Sequence, residues 1–197
     1  MAFTFYGKTL TGLSVPPTTI EKGAIIGLSG RSGSGKSRLM RALVDLDASE
    51  MQLALDGVQC FKMPPQTWRS RILYCAATPA WWDSERIDTL FQTSAQKELL
   101  EKLGLDRAVW SVPVAELSTG EQQRVHVARY LIKKPDVLLL DEPTSALDKE
   151  TTATVEQLIR EFARDAAVVL TSHSPEQLDR LSTRRWRISG TCLEETE

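Results

Sequence analysis

An α/β fold is predicted, with a mainly parallel sheet flanked by helices, an N-terminal antiparallel β part and a short inserted helical lobe. Three observations carry that expectation. Short continuous apolar runs at Ala24–Leu28, Val137–Leu140 and Ala167–Leu170 alternate with segments of helical periodicity. The first sixty or so residues read instead as strands and turns, with Asp56-Gly57 as a hairpin-type turn. Between Pro79 and Pro113 the alternation breaks, and Leu99, Leu100, Leu103 and Leu105 form a helical stripe.

Taken in order, Ala24-Ile25-Ile26-Gly27-Leu28 is bounded by Gly23 and by Ser29-Gly30, which suits a buried strand. A helix is expected from Lys36 to about Leu46, where Leu39, Met40, Leu43, Val44 and Leu46 recur at helical spacing. Met51–Leu55 alternates, and Arg71–Cys75 is a further strand closed by Thr78-Pro79. The helical lobe then occupies about 79–120. A helix is expected from Glu121 to about Lys133, and a second at Lys149–Ala163, between the strands at Val137–Leu140 and Ala167–Leu170. With 197 residues, the chain is expected to be a single domain, 1–197, carrying that lobe.

Lys and Arg number 24 against 26 Asp and Glu, a net charge of −2, so no general attraction to nucleic acid is expected and no nucleic-acid partner is assigned. No apolar run approaches the roughly 18–20 residues that span a bilayer, and Met1–Tyr6 lacks the basic start and apolar stretch of a signal peptide. Cys60, Cys75 and Cys192 are odd in number and form no C-x-x-C pair, so neither a disulfide framework nor a zinc site is indicated. The expectation is a cytosolic chain that meets a membrane only through a partner.

Gly30-Arg31-Ser32-Gly33-Ser34-Gly35-Lys36-Ser37 matches G-x-x-x-x-G-K-[ST], after a strand and at the start of a helix. Gly30, Gly33 and Gly35 let the backbone curl so that N–H groups, those of Ser32 and Ser34 among them, point at phosphate oxygens. The helix that follows adds the positive end of its dipole. Lys36 is expected to reach the β- and γ-phosphates, and the Ser37 hydroxyl to ligate Mg²⁺. A second pair of groups follows Val137–Leu140, where Asp141 and Glu142 end a buried strand at the sheet edge that binds ligands in open α/β folds. Asp141 is expected to hold Mg²⁺, directly or through water, and Glu142 to orient or deprotonate an attacking water.

Leu117-Ser118-Thr119-Gly120-Glu121 reads locally as a capping box, with Ser118 as N-cap and Glu121 three residues on. Gly120 is a poor helix former whose presence makes sense where something approaches the backbone, and a helix N-terminus is an anion site.

Together these three segments resemble the ATP-binding cassette (ABC) ATPases, with their P-loop NTPase fold, and the resemblance runs through the whole chain. LSTGE at 117–121 looks like the family signature, with Thr119 where glycine is usual. Ser145–Asp148 matches the family's D-loop and Thr171-Ser172-His173 its switch histidine. Tyr6 stands where the family stacks an aromatic ring on adenine, a place that Phe3 or Phe5 would take after a small register change. The resemblance implies ATP and Mg²⁺ as ligands and a head-to-tail sandwich of two copies. Ser118 and Gly120 would then serve the ATP held by the second copy, Asp148 would sit near it, and His173 would contact the γ-phosphate in its own chain. Asp148 also suits a plain cap before the helix at Lys149, while His126 falls at no motif position and is read as structural.

One position departs from the family pattern. In Tyr74-Cys75-Ala76-Ala77-Thr78-Pro79, Ala77 occupies the place of a glutamine that contributes to the Mg²⁺ and water shell. Trp81 and Trp82 follow in a polar setting, either as core of the lobe or as the face toward an integral membrane permease. Arg184, Arg185 and Arg187 are read as a solvated face. The expected function is the ATP-hydrolysing subunit of an ABC transporter, peripheral on the cytoplasmic face of the cell membrane and similar to small subunits assigned to iron or metal export. The alternatives are a soluble ABC-type ATPase and, given Ala77, a low-turnover ATP-gated binding module.

Overall fold

Strands at the chain's two ends and in its middle join into one ten-stranded sheet in the computed structural model, which describes residues 1–196. The N-terminal strands β1 (Ala2–Lys8) and β2 (Ser14–Glu21) pair antiparallel, and β4 (Gln52–Leu55) and β5 (Val58–Gln59) extend them on the β1 side. The parallel part holds β3 (Ile25–Gly30), β6 (Ile72–Cys75), β7 (Val137–Leu140), β8 (Ala167–Thr171) and β9 (Arg184–Ser189). β10 (Cys192–Thr196) closes a hairpin with β9 and bridges to β2, giving the order β5-β4-β1-β2-β10-β9-β3-β8-β7-β6. This is the mixed sheet, parallel at one end and antiparallel at the other, that the apolar runs implied.

Among the described residues seven α-helices accompany it: α1 (Lys36–Leu43), α2 (Pro65–Arg71), α3 (Ile87–Leu90), α4 (Ser94–Lys102), α5 (Thr119–Leu131), α6 (Lys149–Ala163) and α7 (Pro175–Leu181). A strand buried on both faces must carry apolar side chains on both, and β7 shows this, with all four residues fully buried. Val137 and Leu139 face a core shared with Phe3, Phe5, Trp68, Trp186 and α1. Leu138 and Leu140 face the opposite core, built with α5, α6, α7 and the helical segment 87–117. No helix among the described residues is long and apolar enough to cross a membrane.

Four elements escape the sequence reading: α2, α7, β9 and β10. Arg184, Arg185 and Arg187 are strand residues, and two of them are paired, Arg184 with Glu195 and Arg185 with Asp179. Trp81 and Trp82 part company. Trp81 packs edge-on to His126 and under the Arg129 guanidinium, whereas Trp82 is 78% exposed.

His126 is structural in its setting. Its Nε2 bonds the Ala76 carbonyl at 3.0 Å, its ring sits between Trp81 and Tyr130, and burial pushes its pKa down to about 4. A histidine whose pKa is lower folded than unfolded makes the unfolded chain bind the proton first, so stability falls as pH drops from about 6.5 toward 4. The melting temperature is expected to decline across that window, and His126→Leu to flatten the decline. An unchanged slope in the variant would assign the loss to other groups.

Candidate functional site

The phosphate-loop motif sits where β3 gives way to α1. Gly33 (φ +76°) and Gly35 (φ +99°) adopt left-handed conformations that side chains resist, and Gly35 caps α1 without any side-chain hydrogen bond. Gly30 is needed for space, because a Cβ there would lie 2.7 Å from the Ser34 hydroxyl. Ser34 Oγ is itself buried without a partner. The loop is thus a concave, donor-rich cradle that leaves polar groups unspent. Lys36 folds back over it, its Nζ donating to the carbonyls of Gly30 (2.9 Å) and Arg31 (3.3 Å).

Two carboxylates face this cradle from the end of β7. β8 lies between β3 and β7, so Asp141 and the loop meet across an intervening strand. Asp141 is 4% exposed and forms no ion pair among the described residues; its oxygens accept hydroxyl protons from Thr171 (2.7 Å) and Tyr74 (2.9 Å). Glu142 takes a left-handed backbone (φ +50°), costly for a residue with a Cβ, and its N–H is held by Thr171 Oγ1 at 2.9 Å. Its Oε2 accepts from the His173 N–H at 3.0 Å, and Oε1 lies 3.6 Å from His173 Nε2. Burial pushes the Glu142 carboxyl above the usual carboxylate range, against the opposing pull of His173.

These groups line one open cleft of about 730 Å³: Ser32 to Arg38, Ala77, Asp141, Glu142 and His173, with Thr11, Leu13, Gly190 and Thr191 closing the side. The donor set suits both an oxyanion and a hard divalent cation. Backbone donors and an ammonium face one part of the cleft, while a serine hydroxyl and an unpaired buried carboxylate supply oxygen ligands in another.

Other sequence-predicted residues lie elsewhere. Tyr6 is not among the residues lining this cleft. Neighbouring strand residues face opposite ways; Phe5 fills the core, so Tyr6 is turned outward beside the β1–β2 irregularity, in a second groove with Thr4, Pro17, Thr19, Gln52 and Gln59. Ser118 caps α5 reciprocally with Glu121, and Gly120 lies against the Ala146 carbonyl; neither lines the cleft. Asp148 is the N-cap of α6, its carboxylate accepting from Thr151 N–H (2.8 Å) and Thr151 Oγ1 (2.9 Å). The local capping readings of Ser118 and Asp148 are thus realised.

Sequence reasoning missed Tyr74, Thr171, Thr11 and the Gly190-Thr191 turn. Thr171 carried a signal, a hydroxyl residue at the C-terminal end of a buried strand, where ligands of open α/β sheets bind.

The family model described as ABC transporter matches residues 13–145. Protein STAR1 of Oryza sativa subsp. japonica is 37% identical over 176 residues, covering 83% of this chain and 51% of its own length. This chain therefore spans about half of that relative. The probable iron export ATP-binding protein FetA of Escherichia coli (strain K12) is 30% identical over 165 residues, 77% of this chain and 73% of the relative. A solved structure of the ATP binding subunit of an ABC transporter superposes with a TM-score of 0.87 at 18% identity, covering 100% of this chain and 90% of that one, which shows the fold.

Proposed function

Because the chain belongs to the ABC transporter family of ATP-binding proteins, we propose that it hydrolyses ATP in the cleft at the phosphate loop and couples that cycle to a separate membrane subunit. The observation that carries the chemistry is the convergence of Lys36, Ser37, Asp141, Glu142 and His173 on one cleft. In this reading the N–H groups from Gly30 to Ser37 bind the β- and γ-phosphates. Lys36 exchanges its bonds to the Gly30 and Arg31 carbonyls for phosphate oxygens. Ser37 and Asp141 hold Mg²⁺, which when bound neutralises charge developing on the phosphates. Glu142 accepts the proton of the attacking water, and its raised pKa makes it a stronger base than an exposed glutamate. His173, 80% exposed beside Glu142, reaches toward the γ-phosphate. Phosphate and ADP leave, with the water's oxygen on phosphorus.

Ser118, Gly120 and Asp148 then act on nucleotide bound by a second copy, in a head-to-tail dimer that ATP brings together. Their absence from the chain's own cleft supports this division. The segment 79–120 serves as the helical lobe of a single ATPase domain, and the exposed Trp82 marks its face toward an integral membrane permease at the cytoplasmic side of the membrane. Ala77 favours a second reading, a low-turnover ATP-gated module, since its methyl lines the cleft without offering a ligand. Phosphate release by the purified chain separates the two. Mg²⁺-dependent turnover supports the ATPase, whereas nucleotide-dependent dimerisation without turnover supports the module. A chain that binds no nucleotide refutes both.

A further inference from the structure

We infer that Tyr74 and Thr171 form a hydroxyl clamp that sets the orientation of the Asp141 carboxylate toward the metal carried by the nucleotide; the inference deepens the phosphoryl-transfer reading above and rests on it. β7 runs between β8 and β6, with Leu140 opposite Leu170 on one side and Cys75 on the other. Each flanking strand supplies one hydroxyl near its C-terminal end. Thr171 Oγ1 donates to Asp141 Oδ1 at 2.7 Å, and Tyr74 OH donates to Oδ2 at 2.9 Å. The terminal torsion of an aspartate is broad and nearly two-fold, so nothing local to Asp141 would hold its plane. Donors on both oxygens, arriving from opposite sides, do hold it. They leave each oxygen lone-pair capacity for a ligand.

The clamp also spans the two acids. The Thr171 oxygen that gives its proton to Asp141 accepts the N–H of Glu142, so one hydroxyl ties the metal-facing carboxylate to the left-handed backbone of the water-facing one. Thr171 is completely buried, where valine would match its shape without the hydroxyl. Tyr74 is half-buried, and burial followed by the nearby Asp141 charge raises its pKa, so its proton stays in place at neutral pH. Both are positioning residues, acting through Asp141. With Ala77 offering no ligand, the orientation of Asp141 rests on these two strands.

The test compares the affinity of the chain for ATP with and without Mg²⁺, by calorimetric titration, in Tyr74→Phe, Thr171→Val and Thr171→Ser, each first shown to melt cooperatively. Partners that orient a metal ligand are typically worth about 10–100-fold in metal affinity. Tyr74→Phe and Thr171→Val are therefore expected to raise the Mg²⁺ concentration needed for half-maximal tightening at least about tenfold, with ATP affinity in EDTA within about twofold of the parent. Thr171→Ser, which keeps the hydroxyl, is expected to match the parent. An unchanged Mg²⁺ requirement in both hydroxyl-deleted variants overturns the clamp. So does an equal loss of affinity in EDTA, the mark of a packing role. A parent chain that binds no ATP under either condition overturns the phosphoryl-transfer reading and the clamp together.

Discussion

Glu142→Gln abolishes phosphate release while leaving ATP bound, and it accumulates an ATP-dependent dimer. The amide keeps the size of the carboxylate and an oxygen able to accept the His173 N–H that now lies 3.0 Å from Oε2. What it loses is the capacity to take a proton, and a positioned base contributes about 10²–10⁴-fold. Turnover measured by phosphate release is expected to fall by that factor, with the dimer visible by size exclusion in ATP. Two pH signatures accompany it. The base must be ionised to work, so the acid limb of the parent's profile lies at higher pH than an exposed glutamate would give, because burial raises the Glu142 pKa. The variant has no such limb. A carboxyl whose pKa is higher folded than unfolded contributes stability that is lost as pH rises through the folded value. At neutral pH the Gln variant is therefore expected to melt above the parent. Parent-like hydrolysis in the variant would remove Glu142 from the mechanism.

Lys36→Ala abolishes tight nucleotide binding. In the structure its ammonium is held by two carbonyls of its own loop, Gly30 at 2.9 Å and Arg31 at 3.3 Å. Those bonds keep the charge over the cradle, ready to be exchanged for phosphate oxygens. A hydrogen bond involving a charged group contributes about 1.5–3 kcal/mol, so the dissociation constant for ATP is expected to rise about 10–100-fold, and hydrolysis to fall with it. Of the two released carbonyls, that of Arg31 is exposed to water and that of Gly30, at the end of β3, is half-buried, so the melting temperature is expected to fall only slightly. Fluorescent-nucleotide titration beside a thermal melt separates the two effects. Unaltered affinity with a normal melt would place the phosphates elsewhere.

The legible parts of the molecule were those written in contiguous residues. The loop from Gly30 to Ser37 builds its cradle from backbone conformations that its own glycines permit, and the acids at 141 and 142 follow directly on a run too apolar to lie at a surface. Capping at Ser118 and Asp148 is equally local, settled within three residues. The C-terminal hairpin was missed although its signal is present. Arg185-Trp186-Arg187-Ile188 alternates like a half-buried strand, and Trp186 and Ile188 are buried as that pattern requires. The density of arginines obscured it. Tyr6 stands outside the core for a geometric reason, since a strand turns successive side chains to opposite faces and Phe5 fills the core.

The amino-acid order by itself determined the phosphate cradle, its paired acids and the family, because each rests on backbone shape or spacing within a few residues. Only the tertiary structure decided that Thr171 and Tyr74 meet Asp141 from either side, and that Ser118, Gly120 and Asp148 lie outside the chain's own cleft. Those relations depend on strand order and register. Strands β6, β7 and β8 are far apart along the chain and take their places by burying both apolar faces of one sheet.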